Sequence, residues 1–169
     1  MFEKSDQRQQ LVDVNEIIRG ALESMSSDRA DHHVEPRVEL MSELPHVHGN
    51  RGQLQEVASN LLVNAVEAMA ATSDRDRMLR VKTELRDRKA VAVVVQDSGP
   101  GIDKDRLDGI FTAFVSTKPN GMGLGLAISR MIIDYHGGKL IALSDGKDGA
   151  SFEIVLPIAP IAQDSARLG

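Results

Sequence analysis

A single apolar stripe along residues 54–69 constrains the fold more than any other feature of this sequence. Its members recur at intervals of three and four residues, which is the spacing of one face of an α-helix. They are Leu54, Val57, Ala58, Leu61, Leu62, Ala65, Ala68 and Met69. The sequence therefore predicts a long helix that packs one side against a core.

Helical spacing recurs in two other segments. The first runs from about Asn15 to Ser26, with Asp13 or Asn15 as its cap. The second runs from Leu126 to Tyr135 and is ended by two glycines at 137 and 138. We therefore expect one helix before the long one and one after it.

Alternating or β-branched segments predict the strands, and Gly49–Gly52 predicts a turn. The strands are expected at 34–40, 79–85, 91–95, 139–144 and 151–156. Pro36 places the first at an edge, and the other four form two hairpins. This order predicts an α+β fold: a two-layer sandwich with a mixed, mostly antiparallel sheet and helices on one face.

Length and composition limit the number of domains and the classes of partner. The chain has 169 residues, which suits one domain. We expect a linker or frayed start at 1–11, the domain at 12–157 and a disordered tail at 158–169. A net charge of −5 argues against nucleic acid, the absence of cysteine excludes disulfides, and no apolar run is long enough to span a membrane.

Two asparagines interrupt the apolar pattern of the long helix. Asn60 and Asn64 are one turn apart, with Glu56 one turn before them and Glu67 three residues after. Amide oxygens are hard ligands that suit Mg²⁺. Two exposed asparagines on a solvated helix face explain the segment equally well, so this motif alone leaves both interpretations open.

The segment 97–125 is rich in glycine and proline, and a long loop inside a small domain usually has a function. Asp97 follows a buried strand, where its carboxylate could accept a hydrogen bond from a base amine. Gly99 and Gly101 would let the backbone approach a flat ring. An ordinary turn is the more common explanation of such a segment when it stands alone.

Glycine recurs at every second residue from 121 to 125, directly before the last predicted helix. Backbone N–H groups at a helix N-terminus can bind phosphate, and Lys118 lies just upstream. The spacing differs from that of a dinucleotide-binding fingerprint, and no Lys-Ser or Lys-Thr pair follows as in a Walker A loop.

Taken together, these motifs resemble the GHKL superfamily of ATP-binding domains, which includes gyrase, Hsp90, histidine kinases and MutL. Within it the chain resembles the catalytic domain of bacterial sensor histidine kinases, of the nitrogen-regulation or oxygen-sensing type. The marks of that branch are Asn60–Ala65, Phe111–Phe114, Ser116–Ile128 and His136–Gly138. The resemblance covers roughly Val12 to Pro157.

The resemblance implies a site for ATP and Mg²⁺. Asn64 matches the metal ligand, and Asn60 and Lys118 match groups near the phosphates. Asp97 matches the acceptor for the adenine amine, and Phe111 and Phe114 match residues of the mobile ATP lid. The full nucleotide-binding set implied is Asn64, Glu67, Ala68, Asp97, Gly99, Gly101, Ile102, Phe114, Thr117, Lys118, Gly121, Met122, Gly123, Leu124, Gly125, Leu126 and Ser151.

Two departures sharpen the expected activity. The ATPases of the superfamily carry a Glu as general base where this chain has Asn60, and an amide cannot take that proton. Relatives often carry Lys or Arg where this chain has Glu67. Fewer cations are therefore expected near the phosphates, and the charge of Lys118 is expected to matter more. The resemblance therefore implies a kinase that donates the γ-phosphoryl group of Mg-ATP, with slow intrinsic hydrolysis.

The expected phosphate acceptor is a histidine on a separate dimerisation hairpin of the same kinase. None of the five histidines here has the expected setting, a His followed by an acid on such a helix. We therefore expect an excised, monomeric, cytoplasmic domain that does not phosphorylate itself and reaches a response regulator only indirectly. A GHKL serine kinase, an ATP-driven conformational machine and a nucleotide-binding module without catalysis remain alternatives.

Overall fold

The computed structural model describes residues 9–26, 34–70, 77–112 and 125–160, which form a sheet covered by helices. The strands are β1 (Gln10–Val12), β2 (Glu35–Glu39), β3 (Val47–Gly49), β4 (Met78–Arg86), β5 (Ala90–Asp97), β6 (Lys139–Ser144) and β7 (Ala150–Pro157). The helices are α1 (Val14–Ser24), α2 (Arg51–Ala70), α3 (Lys104–Leu107) and α4 (Gly125–Tyr135).

The main sheet has the strand order β2-β4-β5-β7-β6. Only the β2–β4 pair is parallel, and β2 is an edge strand, as Pro36 indicates. Side chains of α1 and α2 pack over Val93, Ile154 and Leu156 of the two central strands. The predicted α+β sandwich, with a mixed and mostly antiparallel sheet, is confirmed.

The opposite face of the sheet carries charged side chains in place of helices. Arg86 of β4 contacts Glu84 and, across β5, Glu153 of β7, each at 2.7 Å. This alternation of apolar and charged faces is the pattern of a sheet with one solvated side.

Helix α1 is held to the sheet by a buried polar cluster as well as by apolar contacts. The Thr83 hydroxyl donates to Asn15 Oδ1 and accepts from the Met41 N–H, both at 2.8 Å. Asn15 Nδ2 then donates to the Met41 carbonyl at 2.8 Å. The predicted helix start is confirmed, because the Asp13 side chain accepts from the Asn15 N–H.

The turn predicted at Gly49–Gly52 is wrong. Gly49 ends β3, and Arg51 and Gly52 already belong to α2. Asn50 caps the helix through its side chain, which accepts from the Gln53 N–H at 2.9 Å. The local sequence resembles a turn because a strand end and a helix cap use the same residue types.

Both predicted hairpins are present, whereas three short elements were not predicted. The β4–β5 turn places Asp87 and Arg88 at φ 54° and 57°, the left-handed region that tight hairpin turns use. Strands β1 and β3 pair with each other, and Val47 of β3 also bridges to Ile158. Helix α3 interrupts the predicted loop after Asp97. Strands of three residues and a helix of four carry too little periodicity to be detected.

The ordered domain extends slightly beyond its expected boundaries of 12 and 157. Strand β1 includes Gln10 and Leu11, which had been assigned to the linker. Ile158 bridges to Val47, and the Ala159 N–H donates to the His46 carbonyl at 2.9 Å. Residues at both ends are therefore held by backbone hydrogen bonds.

Candidate functional site

Asp97 is a buried carboxylate at the carboxyl end of the central strand β5, only 5% exposed. Its Oδ1 accepts from the Gly99 N–H at 2.8 Å and from the Ala150 N–H at 3.3 Å. Burial raises the pKa of Asp97, and the two backbone hydrogen bonds oppose that rise. In the part of the chain that the structure describes, no group donates to Oδ2.

Glycines surround Asp97 where the backbone comes close. A Cβ on Gly99 would lie 3.1 Å from the carbonyl oxygen of Ala68, so this loop rests directly on α2. A Cβ on Gly149 would overlap the carbonyl oxygen of Asp97, and Gly149 also has φ +104°. Only glycine fits at 149, because both the space and the backbone conformation exclude a side chain.

The polar residues of α2 lie on its half-buried side, as their spacing predicts. Asn60 and Asn64 are partly exposed, whereas the apolar stripe is buried except for Ala68, which is partly exposed and lies beside them. Asn60 Nδ2 donates to the hydroxyl of Ser129, a fully buried residue of α4, at 3.2 Å. Glu67 lies about one turn beyond Asn64 and is exposed.

The polar side of α2 therefore has two distinct ends. Ala68, at one end, contacts the Asp97 loop, and Asn60, at the other, contacts α4. Eight residues of helix separate them, about 12 Å at 1.5 Å per residue. The buried Asp97 carboxylate and the N-terminal part of α4 thus lie at opposite ends of the same side of α2.

Phe111 is anchored to the domain. Its ring packs edge-on against Phe152 of β7, with centroids 6.3 Å apart, and the Arg130 guanidinium lies 5.2 Å from its centroid. Seven predicted residues that follow Phe111 lie outside the described residues. They are Phe114, Thr117, Lys118, Gly121, Met122, Gly123 and Leu124. Gly125 and Leu126 are described and begin α4.

The structure does not bring Ser151 to the Asp97 cluster, contrary to expectation. Its neighbours in the sheet are Gln96 and Leu143, which point to the solvated face. Ala150, one residue earlier, is the residue whose backbone contacts Asp97. A shift of one residue along a strand reverses the face on which a side chain lies.

Four contributors near the site were missed by the sequence reasoning: Ser129, Ser144, Gly149 and Ala150. The Ser144 hydroxyl accepts from the Ile102 N–H at 2.9 Å and donates to the Gly149 carbonyl at 2.8 Å. Glycine at 149, directly before a strand, was the one available signal. Neither serine carries a local signature of its link to the site, since Ile102 and Asn60, the partners that make those links, are distant in sequence.

The chemistry of this arrangement suits an adenine nucleotide. Asp97 Oδ2 remains available to an exocyclic amine, and the partly buried Ile102 lies on the adjacent loop. Among the described residues no group of three His, Cys, Asp or Glu could hold a metal alone.

Residues 49–160 match the family of histidine kinase-, DNA gyrase B- and HSP90-like ATPases. The chain belongs to this family. Sensor protein TdiS of Thauera aromatica is 35% identical over 146 residues, which are 86% of this chain and 27% of TdiS. The chain thus spans less than a third of the length of that relative.

Solved structures place the chain in the histidine-kinase branch of the family. The nucleotide-free catalytic domain of histidine kinase ThkA has a TM-score of 0.78 and 29% identity, covering 90% of this chain and 99% of that one. Full-length ShkA in complex with AMPPNP has a TM-score of 0.79 and 29% identity, covering 90% of this chain and 32% of ShkA. The predicted resemblance to sensor histidine kinases is confirmed.

Within the described ranges, no helix is both long enough and apolar enough to cross a membrane.

Proposed function

We propose that this domain binds Mg-ATP and donates the γ-phosphoryl group to a histidine on a separate dimerisation hairpin of the same kinase. The observation that carries the proposal is the Asp97 carboxylate. It is buried and fixed through Oδ1 by two N–H groups, and none of the described residues donates to Oδ2. Adenine offers an amine to such an acceptor, and guanine offers a carbonyl at the corresponding position.

The phosphates would lie at the other end of α2. Asn64 would hold the Mg²⁺ ion, and Asn60, Lys118 and the N–H groups of residues 121–125 would surround the phosphoryl groups. A metal ion supplies charge neutralisation for the transferred group. Because these groups position and neutralise charge rather than remove protons, the site favours transfer to a positioned acceptor over hydrolysis.

The amide of Asn60 supports transfer over hydrolysis, since an amide cannot take a proton from water. Asn60 occupies the stripe position from which a base would act, and its amide nitrogen is already engaged by Ser129. The acceptor hairpin would belong to a part of the kinase outside this chain. The response regulator would receive the phosphoryl group from that hairpin later. The solved structure of ThkA in complex with response regulator TrrA supports a response regulator as a partner.

Calorimetric titration with a non-hydrolysable ATP analogue and Mg²⁺ tests the nucleotide site. The chain should bind the analogue, and Asp97→Asn should lose most of the affinity because the amide offers a donor where an acceptor is needed. Asp134→Asn, an exposed carboxylate on α4, is the matched control and should bind normally. Equal binding by wild type and Asp97→Asn would overturn the adenine assignment.

Radiolabelled ATP tests the direction of transfer. The chain should label a supplied cognate hairpin in trans and should not label itself. Label on this chain in the absence of the hairpin would contradict the proposed separation of donor and acceptor.

A further inference from the structure

Ser144, the last residue of β6, has a hydroxyl that uses its full hydrogen-bonding capacity. The oxygen accepts from the Ile102 N–H at 2.9 Å and from the Gly146 N–H at 3.1 Å. Its proton is donated to the Gly149 carbonyl at 2.8 Å. A serine hydroxyl has one donor and two acceptor positions, so all three are satisfied within the domain.

These three partners belong to two segments that are distant in sequence. Ile102 lies in the loop that follows Asp97, whereas Gly146 and Gly149 lie in the turn between β6 and β7. The segments are in direct contact, since a Cβ on Gly101 would approach the Lys147 nitrogen to 2.9 Å. Ser144 is therefore a link that closes the two segments onto each other.

Both segments determine where the Asp97 carboxylate points. The Gly99 N–H, from one segment, and the Ala150 N–H, directly after the other, share Oδ1. Gly149 packs on the Asp97 backbone. If the link opened, each segment could move independently, and the carboxylate would lose its fixed orientation.

We infer that Ser144 is a positioning residue for the base of the nucleotide: it fixes the Asp97 acceptor and the Gly101–Ile102 wall without touching the ligand. The inference rests on the proposed function. It specifies that Ser144 governs affinity for the adenosine half of ATP and leaves the triphosphate half unaffected, because the link lies at the Ala68 end of α2, away from Asn60.

The test compares Ser144→Ala, Ser144→Thr and Thr83→Val. Thr83 is the matched control, because its hydroxyl is also a buried link between segments, though in the α1 cluster. Affinity for the Mg-bound ATP analogue is measured by calorimetry. Adenosine and inorganic tripolyphosphate with Mg²⁺ are then measured separately as competitors of a fluorescent ATP analogue, and thermal unfolding is recorded for each variant.

Ser144→Ala should weaken binding of the analogue and of adenosine about tenfold, because the partly buried Ile102 N–H loses its acceptor and the link between the two segments opens. Its affinity for tripolyphosphate should stay within about twofold of wild type. Ser144→Thr retains the hydroxyl and should restore adenosine binding. Thr83→Val should unfold at a lower temperature and bind all ligands as wild type does.

Two outcomes would overturn the inference alone: unchanged adenosine affinity in Ser144→Ala, or parallel weakening of adenosine and tripolyphosphate. A wild-type chain that binds neither the analogue nor adenosine would instead overturn the proposed function, and the inference with it. The two failures are therefore distinguishable in one set of titrations.

Discussion

The amide nitrogen of Asn60 lies 3.2 Å from the hydroxyl oxygen of the buried Ser129, and this contact joins α2 to α4. It also sets the orientation of the amide. Because Nδ2 is the donor to Ser129, the Asn60 Oδ1 atom is not engaged in this contact. The residue proposed to lie near the phosphates is therefore oriented by the helix that follows residues 121–124.

Replacing Ser129 with alanine should free the Asn60 side-chain amide from its contact with α4. We expect the free energy of unfolding to fall by about 1 kcal/mol and the rate of phosphotransfer to a supplied hairpin to fall about tenfold, with analogue affinity nearly unchanged. Ser24→Ala is the control, since that exposed hydroxyl bonds only to its own helix. Loss of rate in proportion to loss of analogue affinity would contradict an orienting role.

Asp97→Asn should stabilise the nucleotide-free domain at neutral pH while removing nucleotide binding. Burial holds the pKa of Asp97 above its ordinary value of 3.8. A carboxyl whose pKa is higher in the folded than in the unfolded state stabilises the fold at pH values below the unfolded pKa. This stabilisation is lost as the pH rises through the folded pKa. Asparagine at position 97 keeps the acceptor oxygen but carries no charge, so the variant does not lose stability as the pH rises.

Urea unfolding of wild type and Asp97→Asn, without nucleotide, checks the sign. The variant should be the more stable of the two at pH 7, and the difference should shrink as the pH approaches 3.8. A difference that is independent of pH would show that ionisation of Asp97 is not its cause.

Gly149→Ala should be severely destabilising, by at least about 2 kcal/mol. The added methyl group would overlap the carbonyl oxygen of Asp97, and alanine is strained at φ +104°. Gly109→Ala is the matched control, because the nearest atom to its added Cβ is the Arg106 carbonyl oxygen at 3.9 Å. Similar urea midpoints for the two variants would refute the steric argument.

His136→Ala should destabilise the start of α2, although His136 lies beyond the end of α4. His136 Nε2 accepts from the buried Asn50 N–H at 3.0 Å, so Nδ1 carries the proton and donates to the Ile132 carbonyl at 2.7 Å. Losing this acceptor should cost about 1–3 kcal/mol.

Hydrogen exchange provides the local readout for that variant. The Asn50 amide should exchange faster in His136→Ala, and the exposed His48→Ala should behave as wild type in both exchange and urea unfolding. Unchanged protection of the Asn50 amide would mean that a group other than His136 accepts its hydrogen bond.

Elements with strong periodicity were predictable from the sequence. The apolar stripe of α2, the alternation in β4 and the β-branched run in β5 each repeat over enough residues to identify a helix or a strand. Strands β1 and β3 escaped prediction because each has three residues and is held by pairing with segments distant in sequence. The turn predicted at Gly49–Gly52 failed because Asn50 acts as a helix cap there.

The sequence by itself determined the residue types of the site and their order: amides on a helix, an acid after a strand, and glycines before a helix. Only the tertiary structure decided which of them meet. It placed Ser151 on the solvated face, brought Ala150 to Asp97, and joined Ser144 to Ile102 and Ser129 to Asn60. Periodicity is a local property that a sequence displays directly, whereas these hydrogen bonds join residues 42 to 69 positions apart and exist only once the sheet and helices have packed.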